Sequence, residues 1–99
     1  MPNKDFQFYL KGGCKMYVSI AKSHGEVVDF VVRLVDARGE NEHDLARYDT
    51  AHGRPHLDIL TPAGNLKEKI WMPTASLDVS LTRAIEDFKN NHENYLHDR

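Results

Sequence analysis

Cysteine is nearly missing from this chain: Cys14 stands alone among 99 residues. No internal disulfide can form, and a small domain without staples suits a reducing compartment, so a cytoplasmic location is expected. Long apolar runs are missing too. Nothing approaches the ~18 consecutive apolar residues of a membrane helix, and the opening MPNKDFQFYLKGG lacks the apolar stretch of a signal peptide, so no membrane association is expected. Neither sign of charge is in excess: 13 basic and 15 acidic residues give a net charge of -2. That removes the global attraction behind non-specific nucleic-acid binding and leaves only a local basic face to supply it. The 6 Gly and 4 Pro are scattered, so no stretch reads as a linker, and no repeat suggests a solenoid. Residues 1–99 therefore read as a single domain with one core.

What is present is alternation. Phe6, Phe8 and Leu10 interleave with Gln7 and Tyr9, so residues 1–12 read as an N-terminal arm or a short strand. From Cys14 to Ala21, Met16, Val18 and Ile20 face one way and Lys15, Tyr17 and Ser19 the other, the period of a half-buried strand. A longer strand, Glu26 to Asp36, follows. A three-residue turn centred on His24 sets Ile20 against Val28, Val18 against Phe30 and Met16 against Val32, with Lys22 and Glu26 closing the hairpin as an ion pair. The next strand, about Glu42 to Thr50, puts Ala46 and Tyr48 on the core face and Leu45, Arg47 and Asp49 on the other. Pro55 cannot donate to a ladder and marks the start of another strand, whose Leu57 and Ile59 point inward. A last strand, Leu66 to Met72, is expected to bury Leu66, Ile70 and Met72, with Glu68 breaking the pattern at an edge.

After Pro73 the period changes. Leu77, Leu81, Ala84, Ile85, Phe88 and Tyr95 recur at helical spacing, which predicts an amphipathic helix over 76–96 with Ser76 or Ser80 as its cap. The fold class is α+β: an antiparallel meander sheet of four or five strands, with one C-terminal helix packed on one face. The opposite face is left open.

That open face carries the densest reactive stretch, RYDTAHGRPHLD, residues 47–58. With Tyr48 opposite Leu57, Asp49 falls opposite His56 and Arg47 opposite Asp58. Two readings follow. In the catalytic one, Asp49 orients His56 as a general acid or base, and His52 is a second proton-transfer group. Arg47, Arg54 and Arg33 then bind phosphate, while Tyr17 and Trp71 stack bases. In the structural one, Asp49 with His56 and Arg47 with Asp58 are register-fixing pairs on a solvated face, each contributing at most about 1 kcal/mol. His52, His56 and Asp58 are also ligand types, but Gly53 and Pro55 deny the helix that His-x-x-x-His requires, so neither metal nor cofactor is expected. Tyr17 and Trp71 equally suit a homodimer or another protein partner, or cover by the N-terminal arm.

From the VVDFVV strand onward the chain resembles a family of small, mostly uncharacterised prokaryotic proteins. The resemblance rests on RYDTAHG at Arg47 to Gly53, then His56, Asp58, Pro62, Gly64 and Lys67, and on Leu81 to Asn91 of the helix. More remotely, RYD with a downstream His is similar to TumE-like toxins of toxin–antitoxin modules. These likenesses imply a cytoplasmic protein that acts on RNA or a translation component, with an antitoxin or other product of an adjacent gene as partner. Arg47, Asp49, His52, His56 and Asp58 are the matching positions.

Overall fold

The computed structural model describes residues 3–50, 54–73 and 76–97. The alternating stretches form strands β1 (Asn3–Leu10), β2 (Cys14–Ser23), β3 (Glu26–Asp36), β4 (His43–Asp49), β5 (His56–Leu60) and β6 (Leu66–Trp71), followed by α1 (Leu77–His97). Each strand pairs antiparallel with its successor, giving one sheet in the order β1-β2-β3-β4-β5-β6. The α+β meander with a C-terminal helix is thus present, with six strands where four or five were expected. The added strand is the N-terminal segment. Its Phe6, Phe8 and Leu10 stand opposite Val18, Met16 and Cys14, so the period-two pattern extends the apolar face of the sheet. Phe6 and Phe8 therefore lie on the helix side and do not cover Tyr17 or Trp71.

Ser76 begins the helix by accepting a hydrogen bond from the Val79 amide at 3.2 Å through its Oγ, satisfying one of the donors every helix leaves open. The helix packs on β3 and β4. Leu81, Ala84 and Phe88 are buried against Met16, Val18, Phe30, Val32, Leu34, Ala46, Tyr48 and Leu57. Enclosing a side chain such as Phe30 or Phe88 contributes roughly 1.5–3 kcal/mol. Asp87 fixes the helix in place: Tyr48 and Tyr95 donate to its Oδ2 at 2.7 and 2.5 Å. His92 is buried, with Nε2 2.7 Å from the Lys11 carbonyl. It ties the helix to the β1–β2 turn.

Three expectations about facing are corrected, two of them by bulges. His24 at φ 53° and Gly25 at φ 80° form a two-residue turn, the kind whose twist matches that of the strands. Lys22 consequently faces Val27, not Glu26, and Ser23 faces Glu26. A bulge at Ala21/Lys22 then resets the ladder, with Ile20 opposite Phe30, Val18 opposite Val32 and Met16 opposite Leu34. Val27 is buried and Val28, expected inside, is exposed. A second bulge at Leu34/Val35 turns Leu45 into the core instead of onto the outer face. The third correction is on β6, where Leu66 and Ile70 are exposed and only Met72, just beyond the strand, is buried. The helix lies over β3 and β4, two strands away, and leaves this edge uncovered.

Candidate functional site

Directly opposed residues share a face, so the register draws two rows across the side of the sheet turned away from α1. One runs Ser19, Val31, Asp49, His56, Trp71; the next runs Tyr17, Arg33, Arg47, Asp58, Lys69. The β4–β5 pairing is the one the apolar pattern requires, with Tyr48 opposite Leu57, Asp49 opposite His56 and Arg47 opposite Asp58.

At the β4–β5–β6 end these rows make a compact cluster. His56 Nε2 lies 3.1 Å from Asp49 Oδ1 and 3.4 Å from Asp58 Oδ2. Arg47 bridges both carboxylates, with Nε 3.0 Å from Asp49 Oδ2 and Nη2 3.7 Å from Asp58 Oδ2, and Lys69 Nζ is 3.7 Å from Asp58 Oδ1. The face is not solvated here. Asp49 and Asp58 are buried and His56 is only 2% exposed. The Trp71 ring packs edge-on to the imidazole at 5.1 Å, and Arg54 and Lys69 sit 5.1 and 5.4 Å from the Trp71 ring centre. Trp71 itself remains 45% exposed. The other ring nitrogen of His56, Nδ1, is 3.1 Å from the Arg54 carbonyl. A carbonyl only accepts, so this contact puts the hydrogen on Nδ1.

Tyr17 and Arg33 form a second group, further along the same face. Lys15 and Arg33 lie 5.0 and 5.2 Å from the Tyr17 ring centre. The Tyr17 hydroxyl donates to Glu42 at 2.7 Å, and Arg33 pairs with Asp44 at 2.7 Å. The Tyr17 hydrogen bond, with help from Lys15, holds the Glu42 carboxyl below its ordinary range. A hollow of about 280 Å³ adjoins this group, lined in part by Gln7, Tyr17, Ser19, Val31 and Arg33.

Of the residues singled out from the sequence, Arg47, Asp49, His56 and Asp58 come together, with Arg54 and Trp71 above them. Tyr17 and Arg33 stand apart as the second group. His52 lies outside the described residues. Sequence reasoning missed Glu42, at the end of the β3–β4 connection, and Asp44, at the start of β4, which meet Tyr17 and Arg33; nothing in their spacing announces it. Among the described residues, Asp49, His56 and Asp58 each offer one donor atom, all within 4.8 Å of one another. Cys14 is elsewhere, buried on the helix side with its thiol pushed up by burial and by Asp36, as suits inert packing.

Residues 1–98 match the family described as a domain of unknown function, DUF7718. The chain belongs to that family. Its span takes in the N-terminal strand β1 as well as the paired strands β4 and β5. No curated protein and no solved structure matches the chain. Chemistry in this DUF7718 domain therefore has to be argued from its own side chains.

Proposed function

We propose that the sheet face turned away from the helix binds single-stranded RNA. The observation that carries this reading is a repeated arrangement: two aromatic rings, Tyr17 and Trp71, each flanked by two cations. Bases stack on such rings without regard to sequence, while the flanking cations meet the phosphates. The chain's overall negative charge makes this a local attraction, confined to Lys15, Arg33, Arg54 and Lys69. Burial of His56, with both ring nitrogens engaged, favours binding over bond cleavage, because a general base has to reach the proton it removes. The resemblance to TumE-like toxins points in the same direction, toward RNA or a translation component as target and an adjacent-gene antitoxin as partner.

Trp71 is the sole tryptophan, so its fluorescence reports directly on the face. Titration with oligouridine at low salt is expected to quench it, with affinity falling steeply as salt rises. Tyr17→Ala should weaken binding by about tenfold, as the loss of one stacking platform implies; Trp71→Ala should do the same, read by anisotropy of a labelled oligonucleotide. No quenching and no anisotropy change at low salt would remove the proposal. Growth arrest on expression tests the toxin extension.

A second reading is favoured by β6, an edge strand on which Leu66 is exposed and Ile70, opposite Leu57, is exposed on the helix side. Such an edge can accept a strand from a second copy or another protein. A concentration-dependent rise in mass, abolished by Ile70→Lys while RNA binding persists, would assign that edge to protein association.

A further inference from the structure

We infer that Asp49, His56 and Asp58 form a site for one divalent transition-metal ion. This departs from the sequence expectation of no metal, and it stands independently of RNA binding. Its first support is the imidazole. With Nδ1–H committed to the Arg54 carbonyl, the neutral ring turns the lone pair of Nε2 toward two carboxylate oxygens, 3.1 and 3.4 Å away. Three acceptors converging on one point repel unless something positive sits between them. A proton on Nε2 serves in part; a metal ion serves all three. Anchoring Nδ1–H on a carbonyl while Nε2 faces the ion is the usual outer-shell arrangement of ligating histidines.

Spacing is the second support. Two donors about 2.1 Å from a common ion are roughly 3.1–3.4 Å apart when they subtend about 95–110°, between octahedral and tetrahedral angles. The contacts of Nε2 to Asp49 and Asp58 fall in that interval.

The third support is an unmet acceptor. Asp58 is 6% exposed, and its Oδ1 is buried without a hydrogen-bond donor, the Lys69 ammonium standing off at 3.7 Å. Arg47 Nε, although 3.0 Å from Asp49 Oδ2, makes no aligned hydrogen bond either. Asp58 thus keeps one buried carboxylate oxygen without a hydrogen-bond donor, a state costly in a buried site.

The donor set selects the ion. One imidazole nitrogen and two carboxylates, without thiolate, suit Mn²⁺, Fe²⁺, Co²⁺ or Zn²⁺ better than Cu⁺, and the nitrogen disfavours Mg²⁺ and Ca²⁺. Three protein ligands leave positions open for water or an anionic oxygen.

The test uses the full chain, stripped with a chelator and kept free of RNA, so that its failure and failure of RNA binding are read separately. Co²⁺ bound at His56 lies beside the Trp71 ring and should quench its fluorescence, saturating at one equivalent. Zn²⁺ should displace the Co²⁺ and restore the signal, and should raise the melting temperature by several degrees in large excess. Asp58→Asn and His56→Gln, checked for folding by circular dichroism, should each weaken the quenching at least about tenfold. His24→Ala and His43→Ala, at exposed positions, should leave it unchanged. Absence of saturable quenching and of a melting shift in the wild-type chain overturns the site, whatever the variants do. So does equal affinity in a folded Asp58→Asn protein, which would assign the cluster to ion pairing alone.

Discussion

Asp87 shows how one side chain can hold two elements together. It lies on the helix yet accepts from Tyr48 of β4 at 2.7 Å and from Tyr95, two turns along the helix, at 2.5 Å. Asp87→Ala leaves both phenols without an acceptor, and the expected loss is about 2–4 kcal/mol in urea unfolding. Burial first, and the Asp87 bond second, push both phenols well above their ordinary value of 10.0. The unfolded chain therefore ionises them before the folded one does. Their contribution is full below about pH 10 and is lost as pH climbs further. Unfolding midpoints measured from pH 8 to 11.5 should fall at the alkaline end, and a Tyr48→Phe, Tyr95→Phe protein should show a shallower fall. None of this was legible beforehand, because Asp87 reads as one more charge on a polar helix face and one of its partners is 39 residues away. The burial of His56 escaped for a related reason: charged neighbours opposite the helix read as solvated, and the cover over the imidazole comes from Trp71 and Arg54 on other segments.

At the level of elements, legibility followed the turns. Pro55 marks the start of β5, and Tyr48 and Leu57 have one apolar alignment, so the β4–β5 pairing follows from the pattern alone. The β2–β3 hairpin does not, because a bulge absorbs one residue without changing which faces meet, and alternation cannot announce it. The tight turn there carries a non-glycine residue, His24, at φ 53°. Asn tolerates that conformation better, and Asn-Gly is the preferred pair for such turns. His24→Asn is expected to raise stability by roughly 0.5 kcal/mol, seen as a higher denaturation midpoint with an unchanged slope. A drop in stability would mean that the His24 side chain contributes contacts of its own.

For the molecule as a whole, one helix cannot cover six strands. It covers the middle, and both the first and the last strand keep apolar side chains in the open, Phe6 on β1 and Leu66 and Ile70 on β6. Binary patterning predicted Leu66 and Ile70 as core because it sees face and not coverage. Stability should be distributed accordingly: Phe88→Ala is expected to cost about 3–5 kcal/mol, whereas Ile70→Lys should stay within about 1 kcal/mol. Thermal or urea unfolding of the two variants checks the contrast, and a large loss for Ile70→Lys would mean the edge is held by more than its own hairpin.

The order of the sheet also has a kinetic meaning. Every strand's partner is the next one along the polypeptide, so assembly can proceed as a succession of small ring closures, each costing little chain entropy. Bringing the C-terminal segment back over β3 is the long-distance step. The slowest event in refolding should therefore be the arrival of Phe88, and substitutions there should slow folding more than substitutions within any single hairpin.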